Sequence, residues 1–335
     1  MSAVFAAAAA LGLTSAVAHA TAPGKNGRIA FERYRYSEKP LWSEIWVSNP
    51  DGTDERKVSH APRGYLDLAP DWAPDSSRIV FSRCAPNYGR CAIWSVKPDG
   101  SREKMLSPSC RQIHCADDTT PSYSPDGHEL AFSRSDGASD SIIVADAKLR
   151  QPRRVFSFGH VPSAPSVGGP AWSPDGKRLA FVASNENGKR FKPVNGVAIY
   201  VVNVDGSGLR RVTRWKLRAG AAYDIDWSPD GARILFRTKP FARTNAGGNL
   251  YTIRPNGSDL RQLTHFDPRD PLFGALRAGS YSPDGSSLCF TTYHGAVEAG
   301  PAATVPDIFV MSADGTDVRP VTRTRNWDGD PDWGD

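Results

Sequence analysis

One recurring motif constrains the fold of this 335-residue chain more tightly than any bulk property. An aromatic residue, a Pro-Asp turn and a short "RIxF" segment follow one another, as in WSPDGKRLAF at 172–181. The phenylalanine closing the segment recurs at Phe31, Phe81, Phe132, Phe181, Phe236 and Phe290, at spacings of 49 to 55 residues. The aromatic ahead of the turn recurs at Trp72, Tyr123, Trp172, Trp227, Tyr281 and Trp333. A period of this length marks units that stack, each hiding its apolar faces against its neighbours.

Between copies lies a second segment that ends in a turn: IWVSNPDG, IWSVKPDG, IYVVNVDG, LYTIRPNG and IFVMSADG, with a degenerate IIVADAK at 142–148. RKVS, RRVT, RQLT or RPVT then follows. In Ser-Pro-Asp-Gly, Pro pre-sets φ at the second turn position and Gly takes the left-handed position that closes it. Each unit therefore predicts four short strands. Lys177-Arg178-Leu179-Ala180-Phe181 is apolar on both faces, as suits a sheet covered on each side. Four-stranded sheets repeated radially make a β-propeller, so the expected fold is all-β with six blades. The 30 Gly and 27 Pro agree with a turn-rich chain of this kind.

These units resemble the WD40-like propeller repeats of the TolB family, whose signature is an aromatic with Ser-Pro-Asp-Gly, a "+IxF" strand and an "IYVxxxDG" strand. The likeness runs through residues 21–335, expected as one domain. It implies a ring closed by pairing the C-terminal strand with the N-terminal blade, here Pro331-Asp332-Trp333 beside the strand ending in Phe31. That explains why the chain stops in one half of the motif and starts in the other. Family members are periplasmic propellers that bind envelope proteins. TolB chains also carry an α/β domain ahead of the propeller; with only a few residues between Ala20 and the first strand, the propeller alone is expected here.

Residues 3–20, AVFAAAAALGLTSAVAHA, form the one long apolar stretch and end in the small-x-small pattern Ala18-His19-Ala20. Residues 1–20 therefore read as a secretory signal; because no Lys or Arg precedes the apolar run, an uncleaved anchor is the competing reading, and the only membrane contact expected. Either way the chain is exported, to the periplasm or beyond. Among the five cysteines, the simplest partition pairs Cys84 with Cys91 and Cys110 with Cys115, leaving Cys289 as a buried thiol. A zinc site on the first four, with His114, competes, although neither spacing is a C-x2-C knuckle. The net charge of +5 is spread over mixed signs, which argues against nucleic acid as a partner.

Candidate binding residues come from hairpin register. If Ser173 faces Lys177, then Trp172 faces Arg178 and Val167 faces Ala183; the same rule places Asp67 opposite Arg83, Asp118 opposite Arg134, and Asp328 opposite Arg33. Three blades would thus present an Asp–Arg pair near the looser, loop-bearing rim, where the equivalents Val167/Ala183, Ala222/Thr238 and Leu276/Thr292 do not. These pairs are either cross-strand ion pairs or a rim for a carboxylate or phosphate. The turn aspartates read as structural. Asp328, Asp330 and Asp332 alternate like a calcium loop, but Gly334 falls one residue late and no Glu stands at the twelfth position, so neither metal nor cofactor is expected. Exposed loop anchors are sought among Tyr34, Tyr36, Arg190, Phe191, Lys192, Phe241 and Arg243.

No G-x-S-x-G, H-E-x-x-H, Walker or G-x-G-x-x-G pattern is present. The leading expectation is a monomeric, non-catalytic module that binds a protein or cell-envelope component. The alternative is a carbohydrate lyase or hydrolase with its site at the channel mouth.

Overall fold

The computed structural model describes residues 18–19, 21–35, 38–107, 116–136, 139–157, 166–184, 197–214, 221–239, 248–266, 276–293 and 305–335. Its strands fall into four-stranded antiparallel groups, one per repeat, called sheets I to VI from the N-terminus and described from first to last strand in hydrogen-bonding order; a single parallel bridge, Ser43 to Leu66, joins I to II, and Ala18–His19 adds a parallel strand to V. Sheet I comprises Trp327–Trp333, Ile29–Tyr34, Ser43–Ser48 and Arg56–Lys57. Sheet II is Leu66–Trp72, Ile79–Cys84, Cys91–Val96 and Lys104–Met105. Sheet III is Asp117–Tyr123, Glu129–Ser135, Asp140–Asp146 and Arg153–Ser157. Sheet IV is Ser166–Trp172, Arg178–Ser184, Val197–Asn203 and Arg210–Arg211. Sheet V is Ala221–Trp227, Ile234–Lys239, Leu250–Ile253 and Arg261–Gln262. Sheet VI is Arg277–Tyr281, Ser287–Tyr293, Pro306–Ser312 and Arg319–Pro320. Among the described residues, no helix is long and apolar enough to cross a membrane.

The turn chemistry explains the hairpins. In sheet IV, Gly176 N–H donates to Ser173 O, Lys177 N–H to the Asp175 carboxylate and Arg178 N–H to Ser173 Oγ, with Gly176 at φ +67. This turn is one residue longer than the register rule assumed. Trp172 faces Leu179 rather than Arg178, a correction that applies to every unit built alike. A bulge after Gly168 absorbs the extra residue, so Val167 does face Ala183 at the far end. The same bulge returns Asp67 to Arg83, Asp118 to Arg134 and Asp328 to Arg33. The Asp–Arg register therefore holds at that end of the hairpins, although the register next to the turn does not.

All six repeat phenylalanines are fully buried, and Trp72, Tyr123, Trp172, Trp227, Tyr281 and Trp333 are nearly so. They fill the spaces between sheets: Phe181 and Trp172 pack with Val144 and Ile142 of sheet III, and Trp333 and Phe31 with Ile308 and Val310 of sheet VI. Emptying one such site by truncation to Ala costs about 3–5 kcal/mol.

Inner strands are also stitched by hydrogen bonds. Asp332 accepts the Trp72 N–H at 2.8 Å, Asp71 the Tyr123 N–H at 2.8 Å and Asp226 the Tyr281 N–H at 2.8 Å, while Ser280 Oγ accepts the Trp333 N–H at 2.7 Å. In each case the residue before one aromatic holds the backbone of the next sheet's aromatic. Asp332 and Asp226 are therefore occupied as structural acceptors.

Cys84 and Cys91 form a disulfide, and Cys289 is buried, the pKa of its thiol pushed up to about 12 by that burial. Cys110 and Cys115 lie outside the described residues.

Candidate functional site at the loop end of the inner strands

The three sequence-derived Asp–Arg pairs form as forks. Arg33 sets Nε and Nη2 on the two oxygens of Asp328 at 2.6 and 2.7 Å, and reaches Glu55 with Nη1 and Nη2 at 2.6 and 2.9 Å. Arg83 does the same to Asp67 at 2.6 and 2.7 Å and also meets Glu103. Each guanidinium lies over a tryptophan, Trp46 at 4.3 Å and Trp94 at 4.4 Å. Burial pushes the Asp67 pKa up to about 6, against the pull of Arg83, so the pair is still ionised at neutral pH. Arg134 forks onto Asp118 at 2.7 and 2.9 Å, yet it lies over Phe132 instead of a tryptophan and its side chain stays 28% exposed. The aspartates also tie one unit to the next, because Ser59 donates to Asp67, and Ser107 donates to Asp118 at 3.1 Å. Each serine ends the preceding unit and accepts a backbone N–H there, from Ile45 and Ile93.

Where the inner strands bulge lies a cluster that the register rule missed. The bulges put Ala69, Thr120, Gly169, Asp224 and Asp330 at positive φ in equivalent places of their inner strands. Two of these are acidic. Asp224 pairs with Arg237 of its own sheet, out of register with the expected Ala222–Thr238 position, and Asp330 lies 3.8 Å from Arg277 Nε of sheet VI. Thus sheet V does hold an Asp–Arg pair, and Asp330 belongs to a charged site. Glu32 joins them beside Asp330. Its carboxylate accepts the Ala69 N–H, the role that Ser82 and Ser133 play for Thr120 and Gly169 at 2.9 and 3.1 Å.

Burial is the main influence on both acids, raising Glu32 well above the ordinary carboxyl range and Asp330 to about 6 in spite of Arg277. Glu32 Oε2, Asp224 Oδ1 and Asp330 Oδ1 are buried with no hydrogen-bond partner. Such orphaned acceptors mark a polar site with unused capacity. Among the described residues, no three His, Cys, Asp or Glu side chains assemble as a metal site.

Over this floor sit aromatic groups. Trp327 stacks on Tyr34 with ring centroids 4.5 Å apart, and the Arg277 guanidinium lies 5.8 Å from the Trp327 ring. Tyr34 is buried in its strand, not an exposed loop anchor; Tyr36, Arg190, Phe191, Lys192, Phe241 and Arg243 lie outside the described residues. Tyr88 is the anchor that sequence reasoning missed. The disulfide clamps the loop that carries it, on a 3-10 turn at Pro86–Tyr88 where Asn87 and Tyr88 both adopt positive φ. Its hydroxyl meets that of Tyr34, burial raises its pKa, and 39% of the residue remains exposed.

Comparison with known proteins agrees with this architecture. The sequence profile of the TolB beta propeller domain family matches residues 99–270. Among curated relatives, an uncharacterised peptidase, YuxL, of Bacillus subtilis is 27% identical over 147 residues, 44% of this chain. The Tol-Pal system protein TolB of Nitratidesulfovibrio vulgaris is 24% identical over 147 residues, 43% of this chain. The matched regions span only 20% and 29% of those two proteins. The crystal structure of TolB from Acinetobacter baumannii superposes with a TM-score of 0.67 at 20% identity, covering 93% of this chain and 68% of that one. A match over half the chain, on the residues that build the repeats, places this protein in the TolB β-propeller domain family.

Proposed function

We propose that residues 21–335 form an exported, monomeric six-bladed β-propeller that binds a protein or cell-envelope component, without catalysis, at the loop end of its axis. The observation that carries the reading is Tyr88, a part-exposed aromatic on a disulfide-clamped loop, set beside Tyr34, Trp327 and Arg277. Tyr, Trp and Arg dominate binding hot spots, and a pre-ordered loop loses little entropy on docking. Arg134, with Asp118, extends this surface outward, while the saturated Arg33–Asp328 and Arg83–Asp67 pairs stiffen its edge.

Closure of the ring is supported by the order of contacts. The inner strand of each sheet touches that of the next, and Trp327–Trp333 lies between Arg277–Tyr281 and Leu66–Trp72. Ile29 faces Trp333 across the seam.

The test is capture from envelope extracts by immobilised protein. Tyr88→Ala should reduce recovery of the captured component at least tenfold with an unchanged melting temperature; undiminished capture would remove the mouth from the reading. A second reading rests on Glu32 and Asp330, since buried carboxyls with raised proton affinity beside an arginine are also what acid–base catalysis uses. Turnover on a polysaccharide or peptide panel that disappears in Glu32→Gln would favour the enzyme.

A further inference from the structure

Asp226 poses a problem of charge. It is fully buried on the inner strand of sheet V, and its carboxylate accepts hydrogen bonds from the Tyr281 N–H at 2.8 Å, the Thr21 hydroxyl at 2.8 Å and the Thr21 N–H at 3.3 Å. Among the described residues, no basic side chain forms an ion pair with it. The charge nearest in effect is another acid, Asp332, which disfavours ionisation further. A buried carboxylate without a cation is costly, and its neighbours here are all neutral donors.

Thr21 is the other half of the observation. It is 4% exposed, its hydroxyl also reaches Tyr281 O at 3.2 Å, and the residues just before it, Ala18 and His19, run parallel to Ile225 and Asp226. That short strand touches the inner strands of sheets III, IV and VI as well as V, so residues 18–19 lie along the inner strands rather than on the outer surface. Thr21 is also the residue that follows Ala18-His19-Ala20, the small-x-small pattern of a leader junction.

We propose that hydrolysis of the Ala20–Thr21 bond makes the Thr21 nitrogen an α-ammonium that forms a buried ion pair with Asp226, so that removal of the leader completes the inner ring. Water adds hydroxyl to the Ala20 carbonyl carbon, and the departing nitrogen gains the water's hydrogen. At neutral pH this amine takes a further proton from solvent. No new atom has to move into place, because that nitrogen already donates to Asp226 as an amide. Cleavage must precede closure of the ring, since the residue on the product side of the bond is buried. An uncleaved chain held in this arrangement gives the carboxylate only neutral donors; the mature chain gives it a cation.

The inference rests on the export reading and is tested so that the two separate. The full chain is expressed, fractionated, and the recovered protein weighed intact. Protein outside the cytoplasm that starts at Thr21 is expected. Exported protein starting at another residue overturns this inference and leaves export standing, whereas uncleaved protein retained in the cytoplasm overturns both. The ion pair itself is tested on the mature chain by comparing free and Nα-acetylated Thr21, each with Asp226 and with Asp226→Asn. Acetylation should shift the unfolding equilibrium about tenfold more when Asp226 is present, and the Thr21 amine should titrate above the usual range of about 7.7–8.0. Equal shifts in both backgrounds would show that no such pair exists.

Discussion

The rim of sheets I to III and the mouth formed by sheets V, VI and I use the same residue types in opposite ways. At the rim, Arg33, Arg83 and Arg134 each place two donors on the two oxygens of an aspartate directly opposite in register. At the mouth, Asp224 and Asp330 project from bulges, meet Arg237 and Arg277 out of register, and each leave one carboxylate oxygen buried without a hydrogen bond. A buried acceptor without a donor costs about 1–3 kcal/mol. Register produces saturation at Arg33 and Arg83, which also bind Glu55 and Glu103 and have nothing left to offer a ligand, whereas Arg134 stays part-exposed. The bulges produce surplus, at a cost in stability that the rest of the fold must offset, which is the pattern expected where recognition matters more than packing.

The largest effect should come from the strand that both regions share. Trp327–Trp333 supplies Asp328 to the rim, Asp330 to the mouth and Asp332 to the cross-sheet stitching. Deleting residues 329–335 removes the buried Trp333 indole together with the Trp72 and Ser280 hydrogen bonds, and should lower stability by at least about 3–5 kcal/mol in denaturant unfolding. An unchanged unfolding midpoint would contradict ring closure through this strand.

The next test asks whether the two regions differ as their hydrogen bonding says. Arg83→Met strands Asp67 in the interior beside Glu103 and should cost about 3–5 kcal/mol. Replacing Arg83 and Asp67 together by apolar residues should restore most of that loss, because the desolvation of both charges disappears with them. If the double variant were as unstable as the single one, the pair would be more than a structural fork, and its exclusion from binding would have to be withdrawn.

Legibility in the sequence divides along the same line. Repeat spacing located the buried phenylalanines and aromatics, because each fills one recurring space between sheets. Hairpin counting located the rim pairs, yet only because two errors cancelled: the turn is a residue longer than assumed, and the bulge removes the difference. The mouth was hidden by that same bulge, since an alternation rule assigns Asp224 and Asp330 to faces they do not occupy. A signal was nonetheless present. Aligning the repeats on their aromatics puts Asp224 and Asp330 in a column with Ala69, Thr120 and Gly169, and puts Glu32 in one with Ser82 and Ser133. Charged exceptions in a column of small residues mark places where the scaffold departs from its own rule. Tyr88 left no such trace, because its position depends on how the Cys84–Cys91 loop folds over a neighbouring sheet.

The smallest expected effect is the most specific to the mouth. Glu32 and Asp330 are raised by burial, Asp330 to about 6, so the folded protein keeps protons that the unfolded chain releases near pH 4. Between those values the native state binds more protons, and stability must fall as pH rises from about 4 to about 6. Asp332, raised to about 7 by its own burial, and Asp67, raised to about 6, extend the decline and set its remainder. Glu32→Gln removes one titrating group without changing the shape of the side chain. It should flatten the slope across that window and leave stability near pH 4 little altered. Arg134→Gln, at the exposed end of the rim, should leave the slope as it is and change stability by no more than about 1 kcal/mol. Equal pH profiles for wild type and Glu32→Gln would mean that Glu32 is ionised in the folded state, paired with Arg277 as firmly as Asp67 is with Arg83, and the contrast between mouth and rim would collapse.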